Sequence, residues 1–308
     1  MSGALTTAQH ALIKAAGDIL TDPAQVQDSA FLARQLVQAT LPHSDPGDVE
    51  VWTRREGSAW LMIQRGYDGE TGKPYGLPYG TIPRLLLYWI ITEAVRKKSR
   101  SLSLGRSLND FLRLVGLSPA TGGGKRGDAA RVREQSLRLF NAAISFGATL
   151  TDKKGSEGKG RSNMQITDNS VIWWNIKRPE EHSLWESGIT LSEKFYKAVT
   201  EAPVPLDYRA LKALRRSALG LDLYAWLALA AFRAQRSGKP IWISWGQLAK
   251  ALGAEYGRTD NFQQKAQREL DKMRAVFPGL RLGKRRGGLE ILPSSTPPVL
   301  PRQIVDNP

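Results

Sequence analysis

The 308-residue chain has no cysteine, only three histidines and no long apolar run. Without cysteine it can form no disulfide, carry no thiolate nucleophile and hold no cysteine-ligated zinc or iron–sulfur centre. His10, His43 and His182 stand far apart with no paired-ligand spacing, so each reads as a surface or loop residue, and no metal or cofactor is expected. The longest apolar stretch, near Leu223 to Phe232, reaches about half the roughly 20 residues that a membrane-spanning helix needs. The first residues lack a basic region followed by an apolar one, so neither a membrane partner nor secretion is expected, and a bacterial cytoplasmic location is.

Acidic residues are also in deficit: 29 Asp plus Glu face 44 Lys plus Arg, a net charge of +15 with a pI near 10.1. Such an excess draws a protein to a polyanion, and nucleic acid is the first candidate. The length exceeds the usual single-domain size and favours two domains of roughly 100 to 150 residues each.

Along the chain one order of elements occurs twice. Thr81, with Pro83 in the first turn, starts an apolar helix that runs to Lys97. A strand (101–104), a small helix (107–115) ending at Gly116, a Gly-rich loop, and a longer helix from Asp128 to about Ser145 follow. Downstream come an apolar helix (219–236), a strand (241–243), a small helix (244–252), Gly253, a loop, a longer helix (260–277) and a hairpin (280–292). Tyr88 and Tyr224 are 136 positions apart and Gly116 and Gly253 are 137 apart, as a duplication would leave them. The expected fold is therefore α+β: two tandem winged helix-turn-helix domains related by internal duplication. The expected boundaries are an N-terminal helical segment (1–45), a first winged-helix domain (46–188), a second DNA-binding one (189–292) and a disordered Pro-rich tail (293–308).

The second long helix carries the clearest signal. Phe262, Ala266, Leu270, Met273 and Phe277 recur at helical spacing and face a core. The opposite face carries Asn261, Gln264, Gln267, Arg268 and Lys272. Gln can pair bidentately with adenine and Arg with guanine, so the first four are candidate base contacts. Lys272, Arg258 and the hairpin tip Lys284, Arg285 and Arg286 are candidate phosphate contacts, which supply affinity but little sequence information. In the first long helix Arg131 and Arg138 are the candidate base contacts, with Lys125 and Arg126 before it as phosphate contacts. The loop 153–161 reads either as a wing or as an insertion. Alternation along a strand buries one of Trp173 and Trp174 and exposes the other, which favours core packing over stacking on single-stranded DNA.

Enzyme signatures are weak. The run Gly122-Gly123-Gly124-Lys125 departs from a phosphate loop, since Arg126 replaces Ser or Thr and Pro119 stands where the first Gly belongs. A DNA-processing enzyme is thus the less favoured class, and no catalytic residue is nominated.

Several stretches resemble the RepA family of plasmid replication initiators: QATLPHS from Gln38, YGLPYGTIPRLLLYWIITEA from Tyr75, REQSLRLF from Arg133, and the segment from Ser192 to Trp226. More distantly the chain is similar to tandem winged-helix initiators that bind origin repeats called iterons. The resemblance implies double-stranded DNA as partner, opening of an adjacent A·T-rich region, and recruitment of the host initiator and helicase. In related initiators a homodimer can repress transcription while a monomer initiates. A winged-helix transcriptional repressor is the alternative reading. Because the two modules differ in outward residues, a directly repeated, asymmetric site follows more naturally than a palindrome.

Overall fold

The computed structural model describes residues 6–38, 40–56, 59–119, 128–151, 157–175, 177–254 and 259–299. Its first elements are α1 (Thr7–Thr21), β1 (Ser29–Ala33), α2 (Arg34–Gln38), β2 (Val51–Glu56), β3 (Ala59–Gln64), β4 (Gly66–Tyr67), β5 (Pro74–Gly76), α3 (Thr81–Lys97), β6 (Ser101–Gly105), α4 (Leu108–Leu114) and α5 (Asp128–Phe140). Then come β7 (Ala143–Thr151), β8 (Glu157–Gln165), β9 (Thr167–Val171), β10 (Ser187–Leu191), α6 (Glu193–Thr200), β11 (Pro203–Asp207), α7 (Tyr208–Leu214), α8 (Ala218–Ser237), β12 (Ile241–Ser244), α9 (Trp245–Ala251), α10 (Thr259–Val276) and β13 (Gly288–Ile291). No helix among the described residues is long and apolar enough to cross a membrane.

The chain packs as two compact units, one of residues 33–203 and one of residues 1–32 with 204–308. This division departs from the boundaries expected from sequence. The N-terminal helix is no separate segment: α1 packs on α7 and α10, and Arg209 Nη1 donates to the carbonyls of Asp18 and Asp22 at 3.2 and 3.0 Å. The start of the tail is packed as well, with Ser295 and Val299 buried and the Thr296 amide bonded to the Gly279 carbonyl at 2.9 Å. Residues 300–308, the remainder of the expected disordered tail, lie outside the described residues.

In the unit of residues 33–203, α3 is the central helix, buried from Ile82 to Tyr88 and again at Ile90 and Ile91. Its apolar run is nearly continuous because it is enclosed on most sides. Ser107 caps α4, its hydroxyl accepting from the Asp110 amide, and Gly116 follows in the left-handed region at φ 77°, where a Cβ would be strained. The helix α5 stops at Phe140, earlier than expected, because the alternating Ala143 to Gly147 enters β7. Strands β2, β3, β7 and β8 form one antiparallel sheet, and β6, β10 and β9 another, in those orders.

In the other unit α8 holds the same central place, with Leu221, Leu223, Tyr224 and Leu227 fully buried. Ser217 caps its start and Gly238 ends it in the left-handed region at φ 64°. The helix α9 starts with a reciprocal capping box between Ser244 and Gln247.

Candidate nucleic-acid interface

The helix α10 presents two contrasting faces. Phe262, Ala266 and Met273 have no exposed surface and Leu270 has 2%, which anchors the helix against α8 and α9; Phe262 meets Trp245 of α9 edge-on at 6.5 Å. Asn261, Gln264, Gln267 and Arg268 are all exposed on the other side, where the helical period places them. Gln267 Nε2 lies 3.3 Å from Asp271 Oδ1. Lys272 is half-buried, its Nζ 2.8 Å from Glu269 Oε1, so its charge is partly committed within the helix. Arg258 lies outside the described residues.

Beside this helix, β12 pairs with β13 in antiparallel register from Ile241↔Ile291 to Ser244↔Gly288. A bridge from Leu282 to Ile291 adds a third segment on the far side of β13. The pairing at Gly288 needs glycine, since a Cβ there would sit 2.1 Å from the Ile243 carbonyl oxygen. Between the last two segments the turn exposes Lys284, Arg285 and Arg286. The guanidinium of Arg285 lies 4.3 Å from the centroid of the Trp242 ring, a contact that orients one cation of the turn. Sequence reasoning missed Trp242; the signal was an indole on the outward side of a strand whose neighbours point inward.

In the first unit α5 is oriented by Ala129, Val132, Leu139 and Phe140, all buried. Arg131 is half-exposed and 3.6 Å from Asp128. Arg138 is not outward as helical phase suggested: its side chain is 15% exposed and 2.6 Å from Glu134. It also donates to the Leu77 carbonyl at 3.1 Å and packs over Tyr79 at 5.2 Å. Gln135, buried, accepts from the Tyr79 amide at 2.9 Å, so this helix secures the segment that precedes α3. Lys125, Arg126 and residues 153–156 of the expected 153–161 loop lie outside the described residues, and residues 157–161 of it belong to β8.

The β7–β8 hairpin that carries this loop pairs with β3. The strand that joins β6 is β10, and the 172–186 connection runs between β9 and β10. Trp174 there is 8% exposed and stacked on Phe111 at 4.7 Å, while Trp173 is 49% exposed, the alternation expected from sequence. The connection is pinned to the start of α4: the Asn109 amide donates to the Pro179 carbonyl and the Ser183 amide to that of Arg106, both at 2.9 Å. His182 Nε2 lies 3.2 Å from Asp110 Oδ2. The Ser107 hydroxyl, bonded to Asp110, holds that carboxyl below the ordinary range, with His182 and Arg113 acting in the same direction. No group of three or more metal-ligating side chains occurs among the described residues.

Two solved structures align with the chain, the first of them at a level that shows a shared fold. A crystal structure of a selenomethionine derivative of domains 2 and 3 of RctB aligns with a TM-score of 0.50 and 12% identity over 84% of this chain and 96% of that one. A second, of RctB residues 155–483, gives 0.47 and 14% over 83% and 94%. No curated protein sequence matches. Residues 77–247, more than half of the chain, match the family described as plasmid encoded RepA protein. That span begins inside one of the stretches that carry the resemblance, at Leu77, and runs through α3 to the start of α9; the chain belongs to the family of plasmid-encoded RepA proteins.

Proposed function

We propose that the chain is a plasmid replication initiator that binds double-stranded origin repeats through two winged helix-turn-helix modules, one built on α3, β6, α4, α5, β9 and β10 and one on α8, β12, α9 and α10 with the 280–292 wing. The observation that carries this reading is a shared strand order. In each module the strand after the central helix pairs with the last strand of the module, which pairs in turn with the segment before it: β6–β10–β9 in one, and β12–β13 with the Leu282 bridge in the other. The helix before each wing, α5 or α10, is then the one placed to enter a major groove. On this reading the β7–β8 hairpin is an insertion, which lengthens the first copy and hides its kinship in sequence.

Asn261, Gln264, Gln267 and Arg268 read base edges in the second module, and Arg131 does so in the first. Arg138 drops out of that set. Lys284, Arg285 and Arg286 hold phosphates, with Arg258, Lys125, Arg126 and a weakened Lys272 as further backbone contacts. Family membership supports the remainder: binding of direct repeats, opening of neighbouring A·T-rich DNA and recruitment of the host initiator and helicase by a chain that catalyses no reaction itself. A repressor would use the same helices. Plasmid maintenance separates the two, because only an initiator supports, in trans, replication of a molecule carrying its origin.

Binding should fall with salt by roughly 0.9 in log K per log salt for every phosphate neutralised. The Lys284→Ala, Arg285→Ala, Arg286→Ala triple variant should weaken repeat and random duplex to the same degree and lower that slope by up to about three contacts' worth. Intact random-DNA affinity in that variant, measured by fluorescence anisotropy across a salt series, would show that the turn does not face phosphate.

A further inference from the structure

The sheet β2–β3–β7–β8 has one buried face, where Leu61, Ile63 and Ile144 have no exposed surface. On the other face the outer strands are exposed at Thr53, Arg55, Arg161 and Asn163, while Trp60, Met62 and Gly147 of the inner strands are half-buried and Ser145 is buried. Its register lines up Arg55, Trp60, Gly147 and Arg161 in one row across all four strands. The Trp60 indole lies against the bare backbone of Gly147, since a Cβ there would sit 2.2 Å from the ring atoms Cε2 and Cζ2. Arg161 stands at 6.0 Å from the ring centroid and donates to Asn163 Oδ1 at 2.5 Å. Arg55 is exposed at the other end of the row, and Thr53 and Asn163 are exposed in the row beside it. No residue that the register places in these two rows, or in the row from Val51 to Gln165, is acidic.

We propose that this face binds single-stranded DNA, with a base stacked on Trp60 and the flanking phosphates held by Arg55 and Arg161. Trp60 is half-buried, and the part of its ring left open can stack only with a base that has left its pair, because paired bases in a duplex show their faces to each other. Two cations in one row with an aromatic, Arg55 on the neighbouring strand and Arg161 two strands away, in rows without carboxylates, match a polyanion that runs across the strands. The inference rests on the proposed role at an origin, where opening of a duplex exposes such a strand. It adds a surface distinct from the duplex-reading helices.

The test measures binding of the full-length protein to a labelled oligothymidylate of about 20 nucleotides and, separately, to duplex DNA carrying the origin repeat. Trp60→Ala should lower oligothymidylate affinity about tenfold, Trp60→Phe much less, and neither should change duplex affinity. Arg55→Ala with Arg161→Ala should reduce the single-strand salt slope by about 1.4, two contacts at the lower charge density of one strand. Gly147→Val, which must displace the indole, should act like Trp60→Ala. Should the Trp60 variants not fold, photo-crosslinking of the unaltered protein to an iodouracil-containing strand should place the adduct on Trp60. Unchanged oligothymidylate affinity, an equal loss on duplex, or a dimer that Trp60→Ala dissociates without affecting single-strand binding would each overturn the inference. Failure of duplex-repeat binding in the unaltered protein would instead overturn the proposed function.

Discussion

Replacing Arg84 by methionine is expected to destabilise the unit of residues 33–203 by about 3 kcal/mol or more. Arg84 is 4% exposed on the enclosed side of α3. Its guanidinium donates to the carbonyls of Leu41 at 2.6 Å, Gly80 at 2.7 Å and Pro42 at 3.0 Å. Methionine fills similar volume but donates nothing, so three carbonyls lose a charged donor, each such bond being worth about 1.5 to 3 kcal/mol; the Pro42 carbonyl keeps the Gly80 amide at 3.0 Å and that of Leu41 the Thr40 hydroxyl at 3.4 Å. Lysine is the informative second variant: it restores the charge, yet one ammonium cannot span carbonyls that a planar fork reaches together, so its stability should fall between the two. Urea titration followed by circular dichroism reads the result as a lower midpoint with unchanged slope. An unshifted transition in the methionine variant would mean that the fork is not what joins these segments.

Those three bonds also explain why two of the stretches that carry the family resemblance go together. Leu41-Pro42 lies in one and Gly80 to Arg84 in the other, and the sequence gives no hint that an arginine inside an apolar helix ties them. The periodic parts of the fold were readable: α3 spans the expected residues, α10 is displaced by one, and the faces of α10 are divided as a 3.6-residue period divides them. What failed were questions of partnership. The strand β10 was not foreseen, because Ser187 to Leu191 is short and its pairing with β6 joins residues more than eighty positions apart. For the same reason the place of the 172–186 connection beside β6 and α4 was not seen. Arg138 misled because helical phase gives a direction, not a neighbour: a side chain leaving the helix there meets Leu77 and Tyr79 instead of solvent. The packing of α1 against α10 has consequences for dissection, since a fragment beginning near Leu191 would expose the part of α10 that α1 covers.

Arg268→Ala and Gln264→Ala should each reduce discrimination between the origin repeat and random duplex by about 1 to 3 kcal/mol, roughly 5- to 150-fold. Both side chains are exposed, and the residues that hold α10 in place lie on its other face, so folding should be unaffected and the loss should be one of recognition. Arg268→Lys sharpens the assignment. Lysine keeps the charge but not the two-pronged donor geometry, so random-DNA affinity should survive while specificity falls nearly as far as with alanine. Equal losses on repeat and random DNA in Arg268→Ala, rescued by lysine, would instead place this residue on phosphate. Gln267 should matter less than Gln264, because its amide already has a partner in Asp271 at 3.3 Å and must give that contact up to reach a base. Competition binding with repeat and random duplexes at one fixed salt concentration reads all four variants, and unaltered discrimination in both alanine variants would remove α10 as the reading helix.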